Sequence, residues 1–148
     1  MNGGCNLSIF FLPFSVVSQC PHSWPTFNRS CYKLFIQEKN WIKAKAICST
    51  NNAQLVNIGS SEENNFIKGK LSTDRRDYWI GLTDSETEGT WKWTSGAILS
   101  GYNNWSGGQP NNHKGRQDCG VIMSGNQNAG KWNDISCSVK KQFICELN

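Results

Sequence analysis

Six cysteines run the length of this 148-residue chain: Cys20, Cys31, Cys48, Cys119, Cys137 and Cys145. An even number in a small exported domain implies a disulfide framework, and the sequence alone leaves the pairing open. No C-x-x-C pair is present. That argues against a zinc ribbon or a thioredoxin-like redox site. The chain has the length of one ordinary domain with no room for a second.

A seventh cysteine, Cys5, falls in a segment of different character. Leu7 to Val17 is apolar, interrupted by Pro13, and too short to cross a bilayer, which takes about 20 residues. Val16 and Ser18 suit positions −3 and −1 of a cleavage site, with Gln19 as the mature start. The first residues carry no Lys or Arg. Residues 1–18 are expected to be a secretory signal, with a buried N-terminal strand as the alternative, and residues 19–148 the domain. No other segment is apolar enough for a membrane span, so the product is expected to be soluble and secreted.

Charge excludes little but is informative. Fifteen basic residues against 11 acidic leave a net charge of +4. The adjacent basic pairs, Arg75-Arg76 and Lys140-Lys141, lie in no aromatic-rich basic stripe, which argues against nucleic acid. Seven tryptophans and seven phenylalanines supply bulky core units.

Cys31 to Phe35 alternates as a strand does. Asn40 suits a helix cap, and Trp41, Ala44, Ile47 and Cys48 then share one face of a helix reaching about Asn52. Ser60-Ser61-Glu62-Glu63 reads as a capping box ahead of Phe66, Ile67 and Leu71. Asp77 to Leu82 and Trp91 to Thr94 read as strands around a polar turn. Ser95 to Gln117 is rich in Gly, Asn and Ser, and a loop this long in a compact domain is usually functional. Short strands return at Cys119 to Met123, Gly130 to Asn133 and Gln142 to Leu147. The plan is α+β: two helices, then a strand-rich half with one long loop.

Side-chain oxygens concentrate between Gln109-Pro110-Asn111 and Lys131-Trp132-Asn133-Asp134, with Gln117-Asp118 between them. Such a run suits calcium, a hard cation that takes six to eight oxygens from carboxylates, amides, backbone and water. Pro110 fixes the backbone between two of the donors. The two histidines lie in no H-E-x-x-H motif and near no G-x-S-x-G elbow. The acid and amide cluster suits ligation rather than a nucleophile paired with a base, so no enzymatic activity is expected.

These motifs, in this order, resemble a C-type lectin domain over Cys20 to Glu146. They are the Trp41…Cys48 helix, Trp79-Ile80-Gly81-Leu82, Trp91 and Trp93, Asn104-Trp105, Gln109-Pro110-Asn111, Trp132-Asn133-Asp134 and Phe143-Ile144-Cys145-Glu146. The resemblance implies a disulfide-stapled fold of two helices and two small antiparallel sheets. It implies the pairs Cys48–Cys145, Cys119–Cys137 and Cys20–Cys31. It implies a primary calcium site at Gln109, Asn111, Gln117, Asn133 and Asp134, where two sugar hydroxyls complete the ion's shell, with His113 as a further sugar contact. It also implies an auxiliary calcium site at Asp84, Glu88, Asn112 and Asp118, with backbone from Gln117.

The chain departs from the family pattern in two places. Both residues flanking Pro110 are amides, where mannose-type loops carry Glu-Pro-Asn and galactose-type loops Gln-Pro-Asp. Gln117 stands where an acid is expected. Asp134 is then the only formal charge of the primary set, so a weak site in the extracellular, millimolar class is expected, with no choice between mannose and galactose. The auxiliary set keeps three carboxylates and is the better calcium site of the two.

The expected function is a secreted, calcium-dependent, glycan-binding lectin, plausible in glycan recognition or innate defence. The alternative is a lectin-like domain that has lost sugar binding and recognises a protein partner or a surface. Homo-oligomerisation, the usual remedy for weak single sites, stays open. The tryptophans read as core, His22 as surface, and His113 as an exposed loop residue. Asn28-Arg29-Ser30 and Asn104-Trp105-Ser106 are glycosylation sequons.

Overall fold

The computed structural model describes Ser8 and residues 19–148. The expected signal, apart from Ser8, and Cys5 lie outside the described residues.

The chain enters through a short hairpin, β1 (Thr26–Phe27) and β2 (Ser30–Lys39), and then α1 (Trp41–Thr50). Asn40 caps α1, its side chain accepting from the Lys43 N–H at 2.9 Å. Trp41, Ala44 and Cys48 are buried, the face that the 3, 4 and 7 spacing predicts. A two-residue β3 (Gln54–Leu55) leads to α2 (Ser61–Lys68). The Ser60 hydroxyl accepts from the Glu63 N–H, while the Glu63 carboxylate reaches back to the Gly59 N–H at 2.9 Å.

The strand-rich half holds β4 (Tyr78–Thr83), β5 (Lys92–Trp93), a 3-10 turn (His113–Gly115), β6 (Cys119–Ile122), β7 (Trp132–Ile135) and β8 (Lys141–Leu147). The two antiparallel sheets expected from the resemblance are continuous in the structure. Their order is β1-β2-β8-β4-β6-β7, with β3 on β8 and β5 on β4. The join is a parallel ladder of two residue pairs, Tyr78↔Gln142 and Trp79↔Phe143, so the sheet is mixed. Local alternation carries no sign of it, because a parallel partner is set by the path of the whole chain. β1 and β3 escape sequence reading for a similar reason: each is two residues long.

The sheet separates two cores. Tyr78, Ile80 and Leu82 of β4 face one with Ile122, Trp132 and Ile144. Trp79, Val121, Phe143 and Cys145 face the other, with Trp41, Ala44 and Cys48 of α1. Successive side chains of β4, β6 and β8 alternate between the two, as the period of a strand requires. Gly81 sits where β4 meets the β3 segment, and a Cβ there would lie 2.6 Å from the Leu55 carbonyl oxygen. Only glycine fits such an approach.

Among the described residues three disulfides close the framework: Cys20–Cys31, Cys48–Cys145 and Cys119–Cys137, the pairing the resemblance implies. The second spans 97 residues and ties α1 to β8. The third ties the start of β6 to the residues just after β7. Among the described residues, no helix is long and apolar enough to cross a membrane.

Candidate metal and saccharide site

Asp84 directly follows β4 and Asp118 directly precedes β6. The two strands pair at Thr83↔Cys119, so the carboxylates emerge side by side. The Asp84 N–H donates to the Asp118 carbonyl at 3.1 Å, and the Thr83 hydroxyl donates to the same oxygen at 2.6 Å. A turn then folds back, with Thr87 N–H on the Asp84 carbonyl and Gly89 N–H on Asp84 Oδ2 at 2.9 Å. That turn delivers Glu88. One carboxylate oxygen from each of Asp84, Glu88 and Asp118 lies within 4.8 Å of the others.

Oxygens that share a calcium ion at ordinary bond lengths stand no more than about 5 Å apart, so this spacing fits. Asp84 is buried, and its Oδ1 is shielded from solvent with no hydrogen-bond partner among the described residues. Burial pushes the Asp84 carboxyl above the usual carboxylate range, the Gly89 N–H pulls it down, and the Asp118 charge raises it further. Desolvation and the charges of Asp84 and Asp118 push Glu88 up, while the Asn112 side chain opposes them. Crowded carboxylates with an unpartnered buried oxygen are what a cation relieves.

The second set assembles around β7. The Asp134 carboxylate is fully buried and accepts from the backbone N–H groups of Asn111 at 3.2 Å and Asn112 at 2.7 Å. The Asn111 and Gln117 side-chain oxygens both accept from the His113 N–H, at 3.2 and 2.9 Å. The Gln117 N–H donates to Asn112 Oδ1 at 3.0 Å. Gln109 Oε1 and Asn133 Oδ1 are shielded from solvent and unpartnered among the described residues. The Gln109–Pro110 peptide is cis.

This donor set also fits a metal. Two of its five residues, Gln109 and Asn133, have a buried oxygen with no partner among the described residues. An amide oxygen that accepts one hydrogen bond keeps a lone pair, and a carboxylate that accepts two keeps more. Asn112 ties the loop together: its N–H holds Asp134 and its Oδ1 holds the Gln117 N–H. It does so from a left-handed backbone, φ 45°, which Asn tolerates.

Trp132 fixes the strand that carries Asn133 and Asp134. It is fully buried, with Trp93, Tyr102 and Trp105 packed edge-on at 5.6, 5.9 and 5.8 Å. Its indole N–H donates to Asn64 Oδ1 at 2.8 Å, and the Asn64 amide donates to the Gly130 carbonyl at 2.9 Å. Asn64 is a buried polar residue on α2 that sequence reading missed. Its place three residues before Ile67, on the inner face of α2, was the available signal. His113 is exposed, as expected, and enters the network through its backbone N–H; His22 is also exposed.

Asp84, Glu88 and Asp118 thus form one group, Asn111, Asn112, Gln117 and Asp134 share one hydrogen-bond network, and Gln109 and Asn133 hold buried oxygens without partners among the described residues. Residues 37–147 match the family model of the lectin C-type domain. The chain belongs to the C-type lectin domain family. The family is one of carbohydrate-binding, non-enzymatic domains. The human CD209 antigen is similar at 40% identity over 129 residues, 86% of this chain and 30% of that protein. The chain thus spans about three tenths of the length of that curated relative. The mouse scavenger receptor C-type lectin carbohydrate-recognition domain superposes with a TM-score of 0.78 at 40% identity, covering 86% of this chain and 94% of that one. A calcium-independent type II antifreeze protein superposes with a TM-score of 0.76 at 26% identity, covering 86% and 93%.

Proposed function

We propose that this C-type lectin domain is exported and binds saccharides in a calcium-dependent way. One observation supports the reading most: one carboxylate oxygen from each of Asp84, Glu88 and Asp118 lies within 4.8 Å of the others. Asp84, Glu88, Asn112 and Asp118 would hold the auxiliary ion, and Gln109, Asn111, Gln117, Asn133 and Asp134 the primary one. A bound calcium supplies open coordination positions for sugar hydroxyls. Around it, the side-chain amides of Gln109, Asn111, Gln117 and Asn133 offer both N–H donors and oxygen acceptors to a pair of hydroxyls. Asp134 and Asn112 hold the loop backbone in position, and the Cys119–Cys137 bridge keeps β6 and β7 in register beneath it.

Export is supported by three disulfides in a small domain. Binding to a glycan array in calcium, lost on adding chelator and restored by calcium, is the expected result. A domain that binds no glycan in either condition defeats this reading.

A second reading has its own support. Both Asp134 oxygens are engaged by loop backbone, so the loop holds its shape through the protein's own groups. A domain of that kind can serve a protein partner or a surface without an ion. A stable partner whose binding survives chelator favours it.

A further inference from the structure

The primary set is short of negative charge. Gln109, Asn111, Gln117 and Asn133 are neutral, and Asp134 contributes the single formal charge. A divalent ion held there keeps one positive charge uncompensated. Calcium affinity rises with the number of charged ligands, so such a site gains most from a ligand that brings its own anionic oxygen.

The loop above that set adds positive charge. His113, Lys114, Gly115 and Arg116 lie between Asn112 and Gln117, two residues of the candidate donor sets. Lys114 and Arg116 are exposed, and among the described residues neither has a carboxylate within 4.0 Å. Arg76, Lys92 and Lys141 do have such partners. The tip is also fixed in place. His113 N–H is held by the Asn111 and Gln117 side chains, Gly115 N–H bonds the Asn112 carbonyl at 2.8 Å, and Gln117 N–H bonds Asn112 Oδ1. The carboxylates of Asp84, Glu88 and Asp118 do not cancel these cations once they share an ion of their own. Four carboxylates against two divalent ions leave the charges of Lys114 and Arg116 in surplus. Solvated surface lysines and arginines are common, but these two alternate with residues whose backbone N–H groups are bonded to donor residues.

We propose that the saccharide class this site selects is anionic: a uronate or a sulfated sugar, recognised through its ring hydroxyls at the primary set and through its negative group by Lys114 and Arg116. This rests on the calcium-dependent, sugar-binding reading above. The charge of the ligand replaces the carboxylates that Gln109 and Gln117 lack. Calcium and the acidic sugar then bind with positive coupling, each tightening the other by the same factor.

The test is calorimetric titration of the whole domain in calcium. The ligands are mannose and galactose, their 6-sulfates, mannuronate and galacturonate. Each parent keeps its ring hydroxyls at positions 2 to 4, and the sulfate and carboxylate arms separate the two sources of charge. At near-physiological ionic strength the acidic member of a matched pair is expected to bind about tenfold tighter, about threefold for each exposed cation. In 1 M salt the pair converges. The double variant K114A/R116A brings the preference within about threefold, with neutral-sugar affinity and calcium-dependent melting retained. The calcium midpoint tightens in saturating acidic sugar by the factor read in the sugar titration. Equal binding of acidic and neutral partners by the wild type overturns the proposal while leaving the lectin reading intact. An undiminished preference in K114A/R116A overturns the role of the two side chains. No binding of any sugar, by protein whose melt still responds to calcium, defeats the saccharide reading itself and this inference with it.

Discussion

The carboxylate of Asp134, at the middle of β7, accepts a hydrogen bond from the backbone N–H of Asn112 at 2.7 Å, across 22 residues of sequence. A second bond, from Asn111 N–H at 3.2 Å, makes the grip two-pronged. The long loop is thereby tied to the sheet by a buried charge that is also a candidate metal ligand. Loop shape and metal binding draw on one side chain.

Asp134→Ala is therefore expected to destabilise the protein in chelator as well as in calcium. Hydrogen bonds to a charged, buried acceptor contribute about 1.5–3 kcal/mol each, and two donors are left without it. Urea unfolding with chelator present reads the loss, and glycan binding should vanish in parallel. An unfolding midpoint equal to wild type would show that the carboxylate does not hold the loop.

Glu88 behaves differently, because it is exposed and sits in a turn whose backbone bonds do not depend on it. Glu88→Ala should melt like wild type in chelator and respond less to calcium. At a calcium concentration a hundredfold above Kd, a bound ion adds about 2.7 kcal/mol to stability. Thermal melts across a calcium titration measure how much of that survives, and Glu88→Ala is expected to lose more of it than Asp134→Ala. Superimposable titrations for wild type and both variants would remove the two sites together.

The Cys119–Cys137 bridge spans 18 residues that include β7. Its removal in Cys119→Ala/Cys137→Ala should cost about 3 kcal/mol by the loop-entropy model and weaken saccharide binding, since Asn133 and Asp134 lie inside the closed loop. Cys20→Ala/Cys31→Ala, at the far edge of the sheet, should lower stability and spare binding. Paired denaturation and binding curves for the two variants decide the point; equal binding losses would contradict it.

Glu146 gives the fold a pH dependence away from the loop. Burial raises its carboxyl above the ordinary 4.5, with the nearby Glu63 charge adding to the rise, while Asn57 N–H and Ser30 pull it down. A carboxyl whose folded pKa is raised binds its proton more tightly in the native state. Its contribution is complete below the unfolded value and is lost as pH climbs through the folded one. Glu146→Gln should flatten the stability profile upward from about pH 4.5, measured by denaturation in chelator at constant ionic strength. A profile as steep as wild type in that window would show another group to be responsible.

The two glycosylation sequons separate by environment. Asn28 is exposed in the turn between β1 and β2, at φ 42°, and its amide enters none of the side-chain hydrogen bonds among the described residues. Asn104 is half-buried, its amide donating to the Gly130 carbonyl at 2.6 Å and its oxygen accepting from the Lys131 ammonium at 3.1 Å. Secretory expression should attach a glycan at Asn28 and leave Asn104 bare. Intact mass before and after amidase treatment, on wild type and Asn28→Gln, gives the answer; a glycan persisting in Asn28→Gln would refute it.

The donors between Gln109 and Asp134 were legible in the chain as a run of amides and acids, while Asp84, Glu88 and Asn112 were singled out only through the family resemblance. Asp84 directly follows β4, Asp118 directly precedes β6, and Asn133-Asp134 follows a tryptophan too large to leave the core. Both helix caps, Asn40 and Ser60, were likewise readable, since a cap is satisfied within four residues. Asn64 was not. Its partners are the Trp132 indole and the Gly130 carbonyl, 68 and 66 residues away, and no local pattern encodes such a distance.

Residue type and spacing determined the helices, most strands and the run of oxygen donors from Gln109 to Asp134, because these follow from side-chain chemistry and short-range periodicity; the cysteine pairing and the donors Asp84, Glu88 and Asn112 came from the family resemblance. The parallel join of β4 to β8 was decided only by the folded chain, as was the double duty of Asp134 and Asn112 in holding the loop. So was the hydrogen-bonded backbone that brackets Lys114 and Arg116 in the loop between Asn112 and Gln117. Each depends on which distant segments pack together, and burial and hydrogen-bond satisfaction are settled over the whole core at once.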